Sequence, residues 1–307
     1  MQKTGCSGGR RLIGYRNSYM FDGSTVRFLY SYVIIMSLYI ICDDMDERGK
    51  NSTKATAEEF GSDRTDRCID LMRPEVRALL DLPLEQKIKK SQEIIRQAFK
   101  KYKTVGVGFS GGADSEAMLH MIMKIKHDVP ILFVDTRYEF PETFVFVEKL
   151  RKEWDFESLT TVRAGEDKVE EFKRKYGAGT PKFTLAFNKH HKIDPLVRGI
   201  KTLNFDAFMG GIRGVEHEER AKESIFSPRS NPKHVRVHPI LFWRREDVRE
   251  YLKRNKLEHN PVYDKGYTSL GSTLDTTPNK DPNMHERAGR GVARERIMKR
   301  LRALGYN

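Results

Sequence analysis

Apolar residues in the middle of the chain come in two rhythms. Between Leu84 and Tyr102, Ile88, Ile94, Ile95 and Phe99 recur at near-helical spacing among Lys and Gln, which predicts an amphipathic helix. Thr104–Phe109 (TVGVGF) and Pro130–Asp135 (PILFVD) are short, continuous apolar runs and predict buried strands. Leu159–Val162 and Asp206–Met209 predict a third and a fourth. Helices are expected over Glu116–Lys126, over Pro141–Trp154 with Phe144, Val147 and Leu150 on one face, and over the basic stretch Glu286–Leu304. Strands alternating with helices predict a doubly wound parallel α/β sheet covered on both faces. There is no internal repeat.

The first 60 residues break this pattern. Phe28–Cys42 (FLYSYVIIMSLYIIC) is an apolar run behind Arg10, Arg11, Arg16 and Arg27. At about 15 residues it is shorter than the ~20 that a membrane helix needs. It reads as a buried strand or helix, as a membrane attachment, or as a dispensable extension ahead of a start at Met45. The extension is the expectation taken forward, with a cytoplasmic protein. The chain then divides into an extension and linker (1–81), a nucleotide-binding domain (82–256) and a C-terminal lid segment with a basic helix (257–307).

Charge narrows the partners. Lys and Arg total 56 against 43 Asp and Glu, a formal net charge of +13, which predicts an anionic ligand, either a small molecule or nucleic acid. No Lys/Arg run interleaved with aromatics favours nucleic acid. The three cysteines, Cys6, Cys42 and Cys68, form no C-x-x-C pair and suggest neither a zinc site nor a disulfide framework.

Ser110-Gly-Gly-Ala-Asp-Ser115 ends a strand and opens a helix. Gly111 and Gly112 let the backbone turn tightly and let a phosphate approach without a Cβ in the way. Amides at the helix start then point at the anion, helped by the helix dipole. Ser110 and Ser115 add hydroxyl donors, and Asp114 either caps the helix or helps hold magnesium. Gly106-Val-Gly108-Phe-Ser-Gly111 also matches G-x-G-x-x-G, with Asp135 at the next strand's end, but its first two glycines fall inside the strand. Asp135 stands where parallel sheets bind ligands, so it contacts ribose or magnesium or else caps the following turn.

Ser110–Ser115 resembles the SGGxDS pyrophosphate loop of the ATP-pyrophosphatase superfamily. Within it the chain is similar to the group holding phosphoadenylylsulfate (PAPS) reductase, the small subunit of sulfate adenylyltransferase and FAD synthase. Asp135-Thr-Arg-Tyr-Glu-Phe-Pro141 resembles that group's VDTG-x-x-FPE stretch. Gly210-Gly-Ile-Arg213 followed by Glu219-Arg-Ala-Lys222 resembles its GxR segment. Val237-His-Pro-Ile240 with Trp243, Asp247 and Val248, Tyr263–Gly271, and Arg287-Ala-Gly-Arg290 resemble three further motifs in the same order. The resemblance implies an adenine nucleotide alpha hydrolase-like fold, ATP and magnesium as cofactors, and a C-terminal segment folded over the nucleotide.

What it implies about the reaction turns on thiols. Reductases of this group attack sulfur with a cysteine near the C-terminus, whereas Ile69–Asn307 contains none. The expectation is therefore an ATP-dependent adenylyltransferase that passes adenylyl to sulfate or FMN and releases pyrophosphate, with a partner subunit as an option. Arg213, Asp114 and Lys222 are its candidate catalytic residues. Ser110, Gly111, Gly112, Asp114, Ser115, Asp135, Arg220, Arg287 and Arg290 are candidates for the nucleotide, and Asp114 and Asp135 for magnesium. Arg229 joins the basic candidates; His217, His234 and His238 show no metal-ligand spacing. Tyr263, Tyr267 and Trp243 read as core or lid packing, or as a flavin platform. A sulfonucleotide reductase using an external thiol and a non-catalytic nucleotide- or nucleic-acid-binding module are the alternatives.

Overall fold

The computed structural model describes residues 63–279, 281 and 284–305; the apolar run Phe28–Cys42 and Met45 lie outside them. The apolar runs become β1 (Val105–Gly108), β2 (Ile131–Asp135), β3 (Leu159–Arg163) and β4 (Ala207–Met209). Two strands were not predicted, β5 (Phe226–Ser230) and β6 (Lys233–Val237). All six form one sheet in the order β3-β2-β1-β4-β6-β5, parallel except for β5, which runs antiparallel to β6 at the edge.

The helices in chain order are α1 (Arg64–Leu71), α2 (Pro74–Arg77), α3 (Leu84–Lys101), α4 (Ala113–Met123), α5 (Pro141–Glu153), α6 (Val169–Tyr176) and α7 (Pro181–Asn188). They continue as α8 (Asp194–Thr202), α9 (Glu218–Ala221), α10 (Arg245–Arg254), α11 (Val292–Arg296) and α12 (Met298–Ala303). Alternation along the strands sends side chains to both faces. Ile131, Phe133, Ala207 and Met209 join the main core with Ile94 and Ile95 of α3, Leu119 and Ile122 of α4 and Leu150 of α5. Leu132 and Phe208 point the other way and pack with Phe205 and with Ile200 of α8. Helices on both faces make the sheet doubly wound.

Packing settles the G-x-G-x-x-G pattern. A Cβ on Gly106 would lie 2.2 Å from the Phe205 ring, so the first glycine lets that ring cross β1. β1 has β2 on one side and β4 on the other, and the chain leaves their C-terminal ends in opposite directions. A crevice opens there, as at the ligand sites of such sheets.

Two expected boundaries shift. Cys68, Met72, Val76 and Leu80 lie in the main core, so residues 63–81 belong to the folded body and not to a linker. The expected helix Glu286–Leu304 is broken: Arg290 bridges to Thr276, and helix resumes only at Val292. Ile297, Met298 and Leu301 then pack on Ile193. Among the described residues no helix is long and apolar enough to cross a membrane.

Candidate active site

The crevice is a cavity of 990 Å³ whose walls include Ser110, Gly112, Asp114 and Ser115 of the loop. Gly111 takes φ +72, a left-handed turn, and a Cβ there would meet Thr143 at 2.9 Å. The loop is pinned from within and from behind. Ser115 Oγ donates to Gly112 O at 2.8 Å and accepts from the Ser110 amide at 3.2 Å, while Asn260 Nδ2 donates to Gly111 O at 3.1 Å. α4 starts at Ala113, inside the motif and not at Glu116, which brings its first amides to the anion's place. That of Ala113 donates to the Tyr263 phenol oxygen at 3.1 Å.

Asp114 does not cap α4. Its carboxylate accepts from Arg213 Nε at 2.8 Å, and burial pushes its carboxyl up to about 6 against the pull of that guanidinium. β4 delivers Arg213 through Gly211, where a Cβ would sit 2.9 Å from Asp114 O, so the two segments touch backbone to backbone. Arg213 Nη2 donates to both oxygens of Glu286, at 3.0 and 2.8 Å, which ties the C-terminal segment over the loop. Glu216 accepts from the Arg213 amide and pairs with Arg220. Burial raises its carboxyl, but Arg220, Arg213 and Arg287 together hold it down to about 2.

The two C-terminal arginines differ. Arg287 forms a bidentate pair with Glu295, at 3.0 and 2.7 Å. Arg290 is 3% exposed, lies against Gly271 on the cavity wall, and has no carboxylate within ion-pair distance among the described residues. Its Nε and Nη1 are buried without any partner. A buried cation in that state calls for an anionic ligand.

Residues 104–278 match the family model described as the phosphoadenosine phosphosulfate reductase domain. The chain is also 30% identical over 227 residues to a phosphoadenosine 5'-phosphosulfate reductase of Vibrio vulnificus, covering 71% of this chain and 84% of that one. The chain belongs to the phosphoadenosine phosphosulfate reductase family. Solved structures agree on the fold. A PAPS reductase from Candida auris in complex with phosphate superposes with TM-score 0.51 at 23% identity, over 63% of this chain and 96% of that one. The FMN adenylyltransferase of Candida glabrata with FAD and pyrophosphate gives 0.52 at 16%, over 72% and 76%.

In this member of the phosphoadenosine phosphosulfate reductase family, Arg213, Asp114, Arg220, Arg287 and Arg290 all reach the cavity wall with the loop. Lys222 does not line it: its side chain is 45% exposed and pairs with Glu219 at 2.6 Å. Asp135 is fully buried outside the lining, accepting from the Arg137 amide at 2.7 Å and pairing with Arg163. Of the two carboxylates expected to hold magnesium, only Asp114 therefore faces the cavity. Arg229 pairs with Glu223. Tyr263 and Tyr267 line the cavity, whereas Trp243 is core, its indole donating to Ser91.

Several cavity residues escaped the sequence reading. Glu286 stands beside Arg287 and gave no signal of its own. Arg236 sits in Lys233-His-Val-Arg-Val237, where Val and charge alternate as in a half-exposed strand, yet both faces of β6 are covered.

Proposed function

We propose that the cavity binds ATP with its phosphates on Ser110–Ser115, and that the chain transfers the adenylyl group to an anionic acceptor, sulfate or FMN, with release of pyrophosphate. The observation that carries this is the counterion-free guanidinium of Arg290 facing a phosphate-type loop across one cavity. In the reaction an acceptor oxygen attacks the α-phosphorus, the bond to the bridging oxygen breaks, and pyrophosphate leaves with the electron pair. Such a step needs positioning and charge neutralisation, which Arg290, Arg213 and the loop amides supply, and no protein nucleophile. At 990 Å³ the cavity has room for a nucleotide and an acceptor together.

Magnesium fits as a companion of the nucleotide. Among the described residues no three His, Cys, Asp or Glu side chains are grouped to hold a metal, and Asp114 is the loop carboxylate on the cavity. Bound with ATP, the ion would neutralise phosphate charge.

The names of the relatives at about 30% identity favour a second reading, thiol-dependent reduction of a sulfonucleotide. Cys68, the cysteine among the described residues, is fully buried outside the cavity lining, and burial, then Glu218, pushes its thiol up to about 12. In that reading the thiol comes from another molecule.

Incubation with ATP, magnesium and either sulfate or FMN, followed for pyrophosphate and adenylylated product, tests the proposal. Product is expected, and Arg290→Lys should lower turnover by about tenfold, because a point charge does not reproduce the planar fork. No product here, with sulfite formed from phosphoadenylylsulfate and a reduced dithiol protein, would replace the proposal by the second reading.

A further inference from the structure

Arg236 is a second buried guanidinium on the cavity wall, and it belongs to neither the loop nor the C-terminal segment. It projects from β6, is 2% exposed, and lies over the Phe208 ring with its Cζ 5.0 Å from the centroid. Leu132, Ile193 and Leu196 line the cavity beside it. Its hydrogen bonds go to neutral groups only: Nε donates to His234 Nε2 at 2.9 Å and Nη2 to Gly305 O at 3.3 Å. Nη1 makes none, and no carboxylate lies within ion-pair distance among the described residues.

A guanidinium out of water and without counter-charge is costly unless something supplies the charge. Burial, then the like charge of Arg229, pushes this group down to about 9, and an anion entering beside it reverses both effects. The flat face rests on Phe208 and two edges are already bonded, so the fork is held still with one edge to offer, which suits phosphoryl or sulfuryl oxygens.

We infer that Arg236 forms a second anion subsite, distinct from the 110–115 loop, that takes a compact tetrahedral oxyanion. Its source is either a phosphate monoester on the ribose of the nucleotide or a free oxyanion acceptor. The inference rests on the reading that the cavity takes an adenine nucleotide, and AMP serves as the control for that reading.

Calorimetric titrations of AMP, of adenosine 3′,5′-bisphosphate and, on AMP-saturated protein, of sodium sulfate distinguish the sources. They are run on the parent, on Arg236→Met and on Arg236→Lys. With a ribose phosphate on Arg236, the parent binds the bisphosphate at least about tenfold tighter than AMP, and the Met variant loses that margin. With a free oxyanion, AMP and the bisphosphate bind alike, and sulfate binds the parent but at least about tenfold more weakly to the Met variant. Arg236→Lys keeps the charge and retains part of either effect. Equal nucleotide affinities together with no sulfate binding by the parent overturn the subsite without any variant. An effect that Arg236→Met leaves intact also overturns it, and if the Met variant does not fold, an effect fully intact in Arg236→Lys does so. If AMP fails to bind the parent, the nucleotide reading falls, and sulfate titration of the free protein still reads Arg236.

Discussion

One turn into α4, just behind the phosphate loop, Glu116 is fully buried with both carboxylate oxygens unpartnered. Burial, then Glu258, pushes its carboxyl up to about 8 from an ordinary 4.5. The folded chain thus holds this proton more tightly than the unfolded chain does. Its contribution to stability is complete below the unfolded value and is lost as pH rises through the folded one. Glu116→Gln keeps the shape and removes the titration. Between about pH 5 and about pH 8.5 the parent's urea midpoint should fall relative to that of the variant. Parallel midpoints would mean that the carboxyl is solvated or paired. The sequence disclosed Ser110–Ser115 because glycines and hydroxyls between a strand and a helix have few other uses. It was silent on Glu116, on Asp135 turned to Arg163 and on Lys222 turned to Glu219. Which partner a charged side chain finds depends on segments far away in sequence.

Elements were legible in proportion to their apolar contrast. β1 to β4 stand out as runs of Val, Ile, Leu and Phe. β5 and β6 do not, because Pro228, Arg229, Lys233 and Arg236 interrupt them. Pro is admissible in β5 because that strand is at the sheet edge. At the C-terminus, helix-forming residues promised one long helix, but tertiary contacts overrode propensity. The non-helical stretch carrying Arg287 is fastened to α11 through Glu295, which also accepts from Arg64 Nη2 at 3.0 Å. Glu295→Ala would leave two guanidinium groups buried without their shared carboxylate, at a cost of about 3–5 kcal/mol. The variant's denaturation midpoint should drop accordingly. A loss below about 1 kcal/mol would show that the C-terminal segment is held by apolar contacts alone.

Across the whole molecule, the helices before residue 82 are not an appendage, because Cys68 sits in the same core as the sheet. Only the thiolate reacts with alkylating agents, and this thiol is buried and shifted upward. Iodoacetamide labelling, mapped to the peptide holding Cys68, should therefore be slow at neutral pH and become fast only in unfolding concentrations of urea. Rapid labelling with the circular dichroism spectrum unchanged would make this thiol reachable in the folded chain and return it to the list of possible reactants. The site is also spread along the chain, from the loop near residue 110 to Arg290. Synthesis runs in one direction and folding follows it. The loop leaves the ribosome early, while Glu286 and Arg290, which close the cavity over it, are among the last residues made. A nascent chain therefore owns the sheet and the loop long before it owns the counter-charge. Its grip on an anion begins only when translation is nearly over, so the order of manufacture itself keeps half-built copies from sequestering ligand.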